Sequence, residues 1–135
     1  MPGRTASGPE EAAIRLRLEE LRGPVPSADD EFIIEILHSF IEQTPRSLEL
    51  LRHALAGRDS KGIEQLAHSL GGSALNLGAE SLGRYCQHLE ACARTGDLSS
   101  ALEALQQAEQ ELPAVSNVMS VLANELRVST ASGRN

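Results

Sequence analysis

Apolar residues along this chain recur at helical rather than strand spacing. Ile33, Ile36, Leu37, Phe40 and Ile41 fall at i, i+3, i+4, i+7 and i+8, one continuous helix stripe. The same periodicity, punctuated by Gly, Pro and capping residues, divides the chain into five or six helical segments. A short one runs from Glu10 to Leu21 and is stopped by Gly23-Pro24. Ser27 is placed to cap the next, with Asp29, Asp30 and Glu31 in its first turn, where the helix dipole favours negative charge. Thr44 and Pro45 read as an N-cap and first-turn pair, which starts a third helix or kinks the second. Leu48, Leu51 and Leu55 then turn inward, and Gly57-Arg58-Asp59 closes the segment. Ser60 is expected to cap a fourth helix, which Gly78 ends. A fifth spans Glu80 to Arg94, with Leu82, Tyr85, Cys86, Leu89 and Ala93 on one face. Gly96-Asp97 is a turn, and a sixth runs from Leu98 to Leu126 with a bend or break expected near Pro113.

No alternating Val/Ile/Thr run and no Asn-Gly hairpin marks a strand. Helices of this length joined by short turns pack as antiparallel neighbours. The expected fold is therefore all-α: an antiparallel four-helix bundle with a short extra N-terminal helix, over residues 10–127. The polar segments 1–9 and 128–135 read as disordered tails.

Composition sharpens this in three ways. The 135 residues are 41% hydrophobic but hold only two Phe, one Tyr and no Trp, so the core must be built from Leu, Ile, Ala and Val. A net charge of −7 argues against a nucleic-acid binder, which needs Lys and Arg against phosphates and aromatics on which bases stack. The most apolar run, FIIEILHSFI, is broken by Glu35 and His38 and is too short to span a bilayer. No signal peptide is apparent, because Pro2, Gly3 and Arg4 lead into an acidic segment. Cys86 and Cys92 form no CxxC pair and read as buried reduced thiols, so the expected location is cytoplasmic. His88 and Cys92 share a helix face, yet no third ligand has matching spacing, and no metal site is expected.

One stretch departs from plain helix, HSLGGSALNLGA at residues 68–79. Each glycine inside a helix costs roughly 1 kcal/mol relative to alanine, and here two are adjacent. On a helical wheel Ile63, Leu66, Ala67, Leu70, Ala74 and Leu77 lie within roughly 40° of one direction, the core side. His68 lies about 140° away, Gly72 about 180° and Leu75 about 120°. If the helix is continuous, Gly72 bares the surface one turn beyond an exposed imidazole; otherwise the glycine pair separates two shorter helices. His38 and His53 lack such a glycine notch and are assigned no role.

The stretch LAHSLGGSALNLGAESLGRYCQHLE, residues 66–90, resembles the histidine-containing phosphotransfer (HPt) family, whose motif runs A-H-x-L-K-G-S-x-x-x-L-G-A and then L-x-x-x-C-x-x-L-E. Ala67, His68, Leu70, Gly72, Ser73, Leu77, Gly78 and Ala79 fit its first part, and Leu82, Cys86, Leu89 and Glu90 its second. The likeness extends over about residues 27–127, with its motif region at 60–95. It implies a phosphorelay intermediate of two-component signalling, a phosphocarrier rather than an enzyme. His68 would carry a phosphoryl group between receiver-domain aspartates. Receiver domains or a hybrid histidine kinase would be the partners, with no small-molecule substrate. No cofactor is implied for this chain, Mg²⁺ being expected on the receiver only. Gly72, Ser73, Glu90 and Arg94 would take supporting roles, with Leu75 and Gly71 in partner docking. Glu90 would hold the ring tautomer; Arg94 would either neutralise the phosphoryl group or simply pair with Glu90 at i, i+4. One departure is Gly71, where the family usually has Lys. It opens a second reading, a receiver-binding module that docks or sequesters partners with weak or no transfer.

Overall fold

The computed structural model describes residues 9–22 and 26–133, excluding the side chains of 26–29 and 132–133. Among them are five helices and no strand: α1 (Pro9–Leu21), α2 (Pro26–Ala56), α3 (Ser60–Asn76), α4 (Glu80–Thr95) and α5 (Leu98–Gly133). Helices α2 to α5 form an antiparallel four-helix bundle in which α3 packs on α2 and α4, and α5 on α4 and α2. The short α1 lies against α4 and α5.

The apolar stripes account for the packing. Ile33, Leu37 and Phe40 are buried, and Ile36 and Ile41 are half-buried beside them. Leu51, Ile63, Leu82, Leu89, Leu105 and Met119 complete an interior without a single fully buried aromatic ring. Cys86 and Cys92 are both free and buried. No described helix is long and apolar enough to cross a membrane.

Several boundaries differ from the pattern-based expectation, and in both long helices tertiary packing overrides a proline. Thr44 does not cap a new helix. Its hydroxyl donates to Phe40 O at 2.6 Å, and α2 runs unbroken through the exposed Pro45. The same buried face continues past the proline through Thr44, Leu48 and Leu51, which holds the axis together. Likewise α5 passes through exposed Pro113, because Val115, Val118, Met119 and Leu122 stay buried beyond it. That helix extends to Gly133, so residues 128–133 are helical rather than a disordered tail, with Thr130 buried. The cap of α3 is Asp59 rather than Ser60; its Oδ1 accepts from Gly62 N at 3.0 Å. The expected stop at Gly23-Pro24, the Ser27 side-chain cap, and tail residues 1–8 and 134–135 lie outside the described residues.

Gly78 ends α3 as expected, with φ +85°, and has a second duty. A Cβ there would stand 2.7 Å from Ala13 O of α1. Arg17 of α1 also donates through Nε to Asn76 O at 2.8 Å, satisfying a carbonyl that the helix end leaves open. Through Ile14, Leu18 and these contacts α1 closes one end of the bundle.

Candidate functional site

Helix α3 is continuous across Gly71 and Gly72, and the two glycines do different work. Gly71 is buried: a Cβ on it would stand 3.1 Å from Cys86 Cβ and 3.7 Å from Gly83 O, both on α4. It is a packing glycine that lets α3 and α4 approach closely. Gly83 answers it from the other helix, since a Cβ there would collide with Leu75 of α3. Gly72 faces out, and a Cβ on it would meet nothing within 4 Å. The expectation that Gly71 contributes to partner docking is therefore corrected. The position points into the α3/α4 seam, not along the flank of the histidine.

The close seam sets a register of polar pairs on its outer edge. The His68 side chain is 77% exposed, and its Nδ1 lies 3.1 Å from Glu90 Oε2. Glu90, on α4, is mostly covered, with its side chain 17% exposed. Arg94, one turn further along α4, donates through Nη2 to the same Oε2 at 2.9 Å. Its Nε donates to Glu64 Oε2 at 3.1 Å, one turn before His68 on α3. A carboxylate only accepts hydrogen bonds, so the ring proton facing Glu90 belongs on Nδ1. Nε2 is then left as the lone-pair nitrogen of an exposed imidazole, which is the nucleophilic position.

The other expected residues sort around this pair. Leu75 is 37% exposed, two turns beyond His68, and lies over Gly83. Ser73 is exposed but lies on the other side of α3, outside the His68 network. It lines a groove of about 280 Å³ between α2 and α3, together with Ser39, Ser47, Ser69 and Asn76. Arg94 is committed to two carboxylates rather than free. Glu64 was not anticipated; its signal was the i, i+4 spacing to His68, hidden among the many charges on helix surfaces. His38 contacts Arg127 at 3.4 Å and His53 is exposed. His88 Nε2 lies 3.7 Å from Cys92 Sγ. No group of three or more His, Cys, Asp or Glu able to hold a metal occurs among the described residues. Burial pushes the Cys86 thiol up to about 12, and burial and Asp97 raise that of Cys92, so neither is poised as a thiolate.

The site is thus an exposed histidine on a four-helix bundle, hydrogen-bonded from the next helix. The family model for the Hpt domain matches residues 35–118, and the chain belongs to that family. The chain is also similar to histidine-containing phosphotransfer protein B (HptB) from Pseudomonas aeruginosa PAO1, known from a crystal structure. The two share 27% identity with a TM-score of 0.73 over 88% of this chain and 98% of that one. No curated protein matches the chain.

Proposed function

We propose that this protein is a phosphorelay intermediate that carries a phosphoryl group on His68 Nε2 between receiver-domain aspartates. The observation that carries the reading is the pairing of an exposed ring with a covered carboxylate at its far nitrogen. The Nε2 lone pair forms the N–P bond while the acyl-phosphate P–O bond breaks and returns its electron pair to the receiver's aspartate. No proton leaves the nucleophile, because Nδ1 holds the ring's one proton. The phosphorylated ring becomes cationic, and Glu90 faces that charge across the Nδ1–H bond. Phosphoryl transfer rests mainly on positioning and charge neutralisation. This chain contributes a fixed nucleophile and a bare approach at Gly72, while the receiver contributes its aspartate and Mg²⁺. The chain thus acts as a phosphocarrier, in the cytoplasm, with receivers or a hybrid kinase as partners.

The test is phosphotransfer from a panel of phosphorylated receiver domains. Acid-labile, base-stable phosphate is expected on the wild type and none on His68→Gln; equal labelling of the two ends the reading. The docking-only alternative rests on Gly71 standing where the family usually has Lys, which leaves one cation fewer for the phosphoryl group. That alternative predicts receiver binding without label on His68.

A further inference from the structure

The relay chemistry gives no task to Glu64 or to Arg94, the outer pair of the histidine cluster. Its Oε2 accepts from Arg94 Nε at 3.1 Å, while Arg94 Nη2 and His68 Nδ1 meet on one oxygen of Glu90. Two carboxylates thus face one guanidinium, and the cluster is already anionic before a phosphoryl group adds nearly two more negative charges. Among the described residues joined in this network, Arg94 is the only guanidinium or ammonium cation. A guanidinium has five N–H donors, and two are spent here, so others are open to a third acceptor. The Arg94–Glu64 pair is also solvent-accessible, its side chains 57% and 35% exposed, which makes it weak and separable. A guanidinium can bind phosphate oxygens in a bidentate, charge-assisted way, whereas Arg94 meets Glu64 through Nε.

Resting on the relay reading, we propose that Glu64 is a positioning residue that parks Arg94 beside the unphosphorylated histidine. It competes with the phosphoryl group for that arginine, and so limits the lifetime of the phosphohistidine. On phosphorylation Arg94 keeps Nη2 on Glu90, releases Glu64 to water, and turns its Nε and open donors to the phosphoryl oxygens. Glu64 thereby biases the site towards passing the group on, not storing it.

The full chain is labelled without any receiver, using phosphoramidate. Its P–N bond breaks as the P–Nε2 bond forms, and ammonia leaves with the proton it needs. After removal of the donor, the loss of acid-labile phosphate is timed. Glu64→Gln is expected to lengthen the lifetime about threefold to fivefold, the scale of one exposed ion pair, and Arg94→Gln to shorten it by a similar factor. The double variant should match Arg94→Gln alone, and Arg94→Lys should retain much of the wild-type lifetime. An unchanged or shorter lifetime for Glu64→Gln overturns the inference. So does the same lengthening in the Arg94→Gln background, which reveals a general charge effect. Independently of any variant, the Arg94 Nε–H NMR signal must shift on phosphorylation of the wild type; a stationary signal is equally fatal. Absence of label on wild-type His68 removes the relay reading and this inference together, whereas label with invariant lifetimes removes the inference alone.

Discussion

The two flanks of α3 differ in kind. On the α4 side the contact is close, fixed by Gly71 under Cys86 and by Gly83 under Leu75, and its outer edge carries the His68–Glu90–Arg94–Glu64 chain. On the α2 side Ser39, Ser47, Ser69 and Ser73 leave a shallow groove over Phe40 and Leu70. One helix therefore has a flank whose outer edge ties His68 to Glu90 and a flank that stays open. The difference teaches that the close approach of α3 and α4 beside the histidine comes from missing side chains in the seam. Each absent Cβ lets a polar pair on the surface close to hydrogen-bond distance.

The strongest way to break this contrast is to fill the seam. Gly71→Leu should lower stability by about 1–3 kcal/mol, seen as a reduced denaturant midpoint, and should slow labelling of His68 by loosening its hold on Glu90. An unaltered midpoint would show that the seam has slack. Alkaline pH probes the same place through Cys86. Its thiol ionises near the ordinary value of 9.0 when unfolded but only at about 12 when folded. Its contribution is thus complete below pH 9 and lost as pH rises from 9 towards 12. The stability advantage of the wild type over Cys86→Ala should narrow in that window by about 1.4 kcal/mol per pH unit. A constant difference in chemical unfolding across that window would contradict the burial argument.

Gly72 offers a gentler contrast with its neighbour. With nothing near its missing Cβ, Gly72→Ala should raise stability by about 1 kcal/mol while slowing transfer from a receiver that must approach the ring. Stabilisation without any effect on receiver transfer would mean that the bare patch is not the approach path. The smallest effects belong to the groove. Ser69→Ala and Ser73→Ala should stay within about 0.5 kcal/mol of the wild type and leave phosphoramidate labelling unchanged. A labelling defect in either would move the site's boundary across α3.

Much of this arrangement was legible in the residue order. The stripe from Ile33 to Ile41, the Gly96-Asp97 turn and the Gly78 stop each carry a local signal strong enough to stand alone. So did His68 on the outward face with Gly72 one turn on. Local signals failed where neighbours outvoted them. Thr44-Pro45 has every mark of a helix start, yet burial on both sides of the proline keeps α2 whole. Polar residues after Val128 resembled a tail, yet α5 continues through them. The docking role that the family resemblance implies for Gly71 fails because a motif fixes the order of residues along one helix and says nothing about how near the next helix comes.

The sequence by itself determined that this chain folds into a helical bundle and presents one histidine beside a glycine notch, because helical periodicity and backbone freedom are properties of neighbouring residues. Only the tertiary structure decided that Glu90 meets the ring, that Arg94 is shared with Glu64, and that Gly71 is buried. Those facts depend on the separation and register of α3 and α4, which are set by side-chain volumes meeting across a gap between residues distant in the chain.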